Sequence, residues 1–186
     1  MDLRRDLKEQ YHAGLAMLAE CVASCPYDLW LAGRHPRPFW RIAFHAAFFT
    51  HLYMGQNADV FTEPSVLSQW PPAVKNSLGV EDWAEPGEVE PYELSADAEP
   101  LTKEQILQYI GFVDSLVDST IDSLDLDSSE TGFYWYKGMS KMSHELMNLR
   151  HLQGHVGQLS ELLMSRGIDT NWIAIADAYT KYKEMD

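Results

Sequence analysis

The chain has 186 residues and carries 28 acidic residues against 14 Lys and Arg, a formal charge of −14 at pH 7. Hydrophobic residues make up 46% and charged residues 23%, a balance that excludes a wholly disordered or fibrous chain. A surface this negative repels a phosphate backbone, so we expect no nucleic-acid partner. The length predicts a single domain over residues 1–186.

The apolar segments bear on localisation. Four of residues 1–6 are charged, and they lead into an amphipathic pattern without the apolar core of a secretory signal. The richest apolar run, residues 42–49, contains His45 and is too short to span a bilayer. We therefore expect a cytoplasmic protein with no membrane partner. Reducing conditions would keep Cys21 and Cys25 as thiols, and we interpret both as small buried residues.

Two helices are predicted in the first third of the chain. Apolar residues recur at spacings of three and four over residues 2–24, and Pro26 ends the pattern. A Gly- and Pro-containing loop leads to a second helix from Phe39 to about Tyr53, which Gly55 is placed to end. Large apolar residues occur on almost every side of this second helix, so we expect it to be largely buried.

A long acidic connection, residues 56–100, follows the second helix. It contains six of the nine prolines and ten acidic residues against the single Lys75. The large rings of Trp70 and Trp83 favour packing over disorder. We predict that the segment lies over one end of the helices, borders the pocket where His45, His151 and His155 are expected to meet, and is anchored by one of these two rings.

Two more long helices are predicted in the second half of the chain. Thr102 and Gln105 form a capping-box pattern at the start of the third helix. The fourth begins near Ser140, carries an apolar stripe that includes Leu146, and is capped by Gly167. A short C-terminal helix is expected around residues 172–179. Together these patterns predict an all-α protein, and four long amphipathic helices favour a four-helix bundle.

Three of the histidines are candidate metal ligands. His151 and His155 are one helical turn apart, so their rings can bind one metal ion, although such a pair is more often two ordinary helix histidines. Both lie beside an apolar stripe, where an imidazole without a partner is costly. His45, in the most apolar helix, is the candidate third ligand, and a core histidine bonded to a carbonyl is the alternative.

Small residues beside these histidines predict a close approach of the two helices. They are Ala46, Ala47, Gly154 and Gly157. The remaining histidines fit a shared site less well. His51 points to another side of its helix, and His144 is too far along the fourth helix to share one ion. We interpret His12 and His35 as surface or loop residues.

The fourth-helix segment from Asn148 to Leu159 contains the pattern H-x3-H-x-G-Q-L, and this resembles the DinB-like superfamily of bacterial four-helix bundles related to YfiT. The segment from Phe39 to His45 is similar to the family's second helix. The resemblance implies one divalent metal ion held by His45, His151 and His155. It also implies a homodimer and, from related transferases and isomerases, a small-molecule substrate that includes a low-molecular-weight thiol.

Three imidazole ligands predict an open rather than a closed metal site. Nitrogen ligands suit zinc, nickel, iron or copper, and the remaining coordination positions are typical of catalytic centres. Activation of a water or thiol favours nucleophilic transfer or hydrolysis, and the family resemblance implies a thiol-dependent S-transferase or a hydrolase. Gln158 and Asn148 are candidates to contact the ligands or substrate, with ordinary exposed residues as the alternative. A non-catalytic metal-binding or stress-response bundle, or a plain interaction bundle, remains an alternative function.

Overall fold

The computed structural model describes residues 2–33, 37–61 and 98–175. These ranges contain five α-helices, a short 3₁₀ helix at Ala58–Val60, and no strand, so the all-α prediction is confirmed. The helices are α1 (Leu3–Ser24), α2 (Tyr27–Trp30), α3 (Phe39–Met54), α4 (Lys103–Ser123) and α5 (Lys141–Met164). Around one apolar core, α3 packs against α4 and α5, and α1 packs against the same two helices.

Local capping explains where the helices begin and end. Thr102 Oγ1 accepts a hydrogen bond from Gln105 N, and Gln105 Oε1 accepts one from Thr102 N, so the predicted capping box is present. Ser140 caps α5 in the same manner by accepting from Ser143 N. At the other end of α5, Gly167 adopts a φ of 74°, the left-handed conformation that glycine reaches at little cost.

Burial of α3 positions one side of the candidate site. Every residue of this helix is buried except His45, which is half-buried. The expectation of a largely buried second helix is therefore confirmed. His45 is the only α3 side chain that reaches partly toward solvent.

A glycine lets α1 and α5 approach closely, whereas the two glycines predicted to let α3 and α5 approach do not contribute to packing. A Cβ atom at Gly14 would lie 2.7 Å from Leu152 Cδ2, so a larger residue there would force the helices or the leucine to move. Gly154 and Gly157 are exposed and have open space at their Cβ positions. The prediction that these two allow close packing is wrong, because both lie on the outward face of α5.

The first half of α5 turns a polar face toward the core. Lys141, His144, Glu145 and Asn148 are each fully buried, whereas Leu146 is 54% exposed. The expected apolar stripe therefore does not include Leu146. The packing of α1 and α3 against α5 determines which of its two faces is inside, and here the inside face carries charge.

The C-terminal segment differs from its prediction. Residues 172–175 are not helical, and the rest of the predicted final helix lies outside the described residues. Ile173 is buried while Trp172 is exposed, and Gln10 Nε2 donates a 3.2 Å hydrogen bond to Ala174 O. This segment is thereby held against α1.

Most of the acidic connection, including Trp70 and Trp83, lies outside the described residues, as does His35. Its predicted placement over the helix ends stays a prediction. Among the helices in the described ranges, none combines the length and apolarity that crossing a membrane requires.

Candidate metal centre

Three histidine side chains from two helices meet at one point. His151 Nε2 lies 3.1 Å from His45 Nε2 and 3.0 Å from His155 Nε2. One ligand atom from each ring lies within 4.8 Å of the other two, and all three residues are half-buried. The structure therefore brings together the three histidines that the sequence singled out, in an arrangement with the donors of a three-histidine metal site.

Helix geometry explains the convergence. His151 and His155 are one turn apart on α5, so their rings point in nearly the same direction. The packing of α3 against α5 then places His45 opposite this pair. Phe49, one turn after His45, covers one side, with its ring centroid 4.6 Å from that of His45 and 5.6 Å from that of His151.

Gln158 determines which nitrogen of His155 carries the proton. Its Oε1 atom lies 2.9 Å from His155 Nδ1, and an amide oxygen can only accept a hydrogen bond. Nδ1 of the neutral ring is therefore the donor, and Nε2 presents its lone pair to the other two histidines. The sequence offered two alternatives for Gln158, an ordinary exposed residue or a contact with a metal ligand. Gln158 is exposed and also contacts the candidate ligand His155.

Electrostatics keep the three rings neutral. Burial, with the neighbouring His155 and His151, lowers the pKa of His45 to about 3. Burial and His155 lower the pKa of His151 to about 4, and burial also lowers the pKa of His155. The Arg37 guanidinium adds to the lowering of the pKa of His45 and of His155. At neutral pH the site therefore offers uncharged imidazoles, the form that binds metal ions.

The donor set fits a first-row divalent ion. Zinc–nitrogen bonds of about 2.0–2.1 Å at a tetrahedral angle place two ligand nitrogens about 3.3 Å apart. The observed separations of 3.0 and 3.1 Å are close to that value. Without a cation, His151 Nε2 could donate at most one proton although it contacts the Nε2 atoms of both His45 and His155. Nitrogen lone pairs that face one another without a shared proton would repel. A cation between the nitrogens satisfies all of them at once.

Other histidines lie apart from this centre. His51 is buried on another side of α3, where its Nδ1 is 3.0 Å from the Tyr109 hydroxyl. His144 is fully buried among aromatic rings, with Phe133 stacked at 4.8 Å. His12 is partly exposed and its Nδ1 lies 2.7 Å from Asp114 Oδ1. The predictions that His51 and His144 lie apart from the triad are confirmed.

Asn148 has a structural role instead of a contact with the triad. It is fully buried, and its Nδ2 donates to Tyr11 Oη at 3.0 Å and to Thr50 O at 3.1 Å. Neither the expected ligand contact nor the exposed alternative holds for this residue. Tyr11 in turn donates a 2.6 Å hydrogen bond to Glu145 Oε2.

The two cysteines are buried thiols, as expected from the sequence. Burial raises the pKa of the Cys25 thiol to about 11, and burial also raises that of Cys21. Both thiols therefore remain protonated at neutral pH and are weak nucleophiles.

Sequence reasoning missed the buried cluster formed by Tyr11, Lys141, Glu145 and Asn148. Lys141 Nζ lies 3.0 Å from Glu145 Oε1 and also donates to Gly55 O. The only sequence signal was the i, i+4 spacing of Lys141 and Glu145, which is common on exposed helix faces.

Comparison with protein-family models, with curated proteins and with solved structures found no match to this chain.

Proposed function

We propose that this protein is a metal-dependent enzyme of the DinB-like kind, a four-helix bundle that binds one divalent ion through His45, His151 and His155. The observation that carries the proposal is the convergence of three imidazoles at a partly open site, where one ring nitrogen of each lies within 4.8 Å of the other two and His151 Nε2 is 3.1 Å from His45 Nε2 and 3.0 Å from His155 Nε2. Zinc, nickel and iron are the ions that such a donor set favours.

The proposed reaction class is nucleophilic transfer or hydrolysis. An ion held by three protein ligands would supply activation of a water or a thiol in a remaining coordination position. A low-molecular-weight thiol is the proposed co-substrate, which makes thiol-dependent S-transfer the first reaction to test. The buried, protonated Cys21 and Cys25 leave that thiol to come from outside the chain.

Each neighbouring side chain has a defined part in this proposal. Gln158 would orient His155 through its bond to Nδ1. Phe49 would exclude water from the side of the site where α3 packs on α5. Arg37 is a cation close enough to influence His45 and His155, so it would favour a substrate with an anionic group.

The first experiment measures metal content. Protein expressed with zinc, nickel and iron available should retain about one equivalent of metal, and His155→Ala should lose it. His51→Ala is the matched control, because that imidazole lies on α3 away from the triad. Stoichiometric metal in His155→Ala, or none in the wild type, would refute the ligand assignment.

The second experiment tests catalysis. Wild-type, metal-loaded protein should transfer a panel of cellular thiols to an electrophilic acceptor faster than His155→Ala. Full metal occupancy without turnover for any thiol or ester substrate would instead favour the non-catalytic metal-binding function. The proposed homodimer is tested separately by light scattering, where the mass of one chain at micromolar concentration would contradict it.

A further inference from the structure

A second recess lies between the C-terminal half of α3 and α4, on a different side of α3 from the three histidines. It has a volume of about 280 Å³. Its lining includes His51, Met54, Phe61, Leu116, Thr120 and Ser123. None of the described residues that line it is Asp, Glu, Lys or Arg, although the chain as a whole carries a charge of −14. A described lining without charge favours an uncharged ligand, because an ion would find no opposite charge among these residues.

His51 forms the polar point of this recess. The residue is only 6% exposed, and its Nδ1 atom is held 3.0 Å from the Tyr109 hydroxyl. Nδ1 makes its one hydrogen bond with a described residue, so Nε2 is left to meet a ligand in the recess. Burial lowers the pKa of His51 to about 4, so the ring is neutral at physiological pH and offers a single neutral hydrogen-bonding atom.

Aromatic rings and hydroxyl groups complete the lining. The Phe61 ring centroid lies 4.4 Å from that of His51, which provides a flat apolar wall. Ser119 Oγ and Ser123 Oγ donate to the carbonyls of Leu116 and Thr120 at 3.2 and 2.7 Å. Because their protons are used within α4, both hydroxyl oxygens keep lone pairs that can accept a hydrogen bond from a ligand.

We propose that this recess is a binding site, separate from the candidate metal centre, for a small uncharged aromatic molecule that bears a hydroxyl group. The ring of the ligand packs against Phe61. Its hydroxyl oxygen accepts a hydrogen bond from His51 Nε2–H, in the tautomer whose Nδ1 accepts from the Tyr109 hydroxyl, and its single proton is donated to Ser119 Oγ or Ser123 Oγ. The proposal does not depend on metal binding by the other three histidines.

Phenol is the probe, and histidine ring signals in NMR spectra of the full chain labelled with ¹⁵N-histidine are the readout. Phenol should shift the His51 signals saturably, while the charged analogue benzoate should bind about tenfold more weakly or worse. The same phenol response should persist in His151→Ala, because that residue lies outside the recess.

Two substitutions locate the probe. Ser119→Trp fills the recess from its exposed rim and should abolish the saturable shift. Ser115→Trp is the matched control, since Ser115 lies one turn earlier on α4 outside the lining and makes the same type of bond, to Phe112 O. His51→Leu, compared with the wild type by equilibrium dialysis against phenol, should also abolish phenol binding. An absent or unsaturable shift, equal binding of benzoate, or binding that survives in Ser119→Trp would overturn the proposal.

Discussion

Removing one charge from the buried pair on α5 should be strongly destabilising. Lys141 and Glu145 are both 0% exposed, with Nζ and Oε1 3.0 Å apart. Lys141→Met removes the cation and leaves the Glu145 carboxylate buried, with the Tyr11 hydroxyl, at 2.6 Å, as its one hydrogen-bond donor among the described residues. Loss of one partner from a buried ion pair costs about 3–5 kcal/mol. Gly55 O also loses the Lys141 donor, which costs about 1 kcal/mol more.

A double substitution separates the stranded charge from other effects of the methionine. Lys141→Met/Glu145→Gln removes both charges and keeps an acceptor for the Tyr11 hydroxyl. It should recover most of the lost stability and lie within about 1–2 kcal/mol of the wild type, because an uncharged replacement of a buried pair is often neutral. Urea unfolding at pH 7, followed by circular dichroism, measures the free energy of unfolding of the wild type and of both variants.

The matched control is Lys8→Met, which removes a lysine from the more exposed contact with Asp122 at 2.8 Å. That substitution should change the free energy of unfolding little, because water screens the pair. If Lys141→Met cost no more than Lys8→Met, or if the double variant were less stable than Lys141→Met, the explanation based on a stranded charge would be refuted.

Further predictions concern the pH dependence, the metal site and helix packing. A hydrogen bond to Asp114 raises the pKa of His12, so their contact stabilises the fold below about pH 6.5. This contribution is lost as the pH rises through the raised pKa. The free energy of unfolding of Asp114→Asn should therefore fall furthest below that of the wild type at mildly acidic pH. Gln158→Ala should weaken metal binding about 10–100-fold in competition with a chelator, while Gln158→Glu and the control Gln153→Ala retain it; unchanged affinity in Gln158→Ala would remove the orienting role. Gly14→Val should lower the free energy of unfolding in urea by about 1–3 kcal/mol, because the valine side chain meets Leu152. Gly154→Ala, whose side chain enters open space, should raise it by about 0.5–1 kcal/mol. The opposite order would contradict the packing described for α1 and α5.

Features that depend on neighbours along the chain could be predicted from the sequence. The capping box of Thr102 and Gln105 and the end of α5 at Gly167 follow from local hydrogen bonds and backbone conformation. The burial of α3 follows from its composition. The pairing of His151 and His155 follows from the pitch of one helix. Each of these needs only residues a few positions apart.

Tertiary packing decided which helix faces meet, and no local rule specifies that. Both Leu146 and Glu145 belong to α5, yet the leucine is exposed and the glutamate fully buried, because α1 and α3 pack on the polar face. For the same reason Gly154 faces open space, whereas a Cβ atom at Gly14 of α1 would meet Leu152 of α5. The sequence suggested His45 as the third member of the triad, but only the packing of α3 against α5 places its Nε2 atom 3.1 Å from that of His151. The long-range geometry between helices, which depends on the sum of many side-chain contacts, brought the candidate site together.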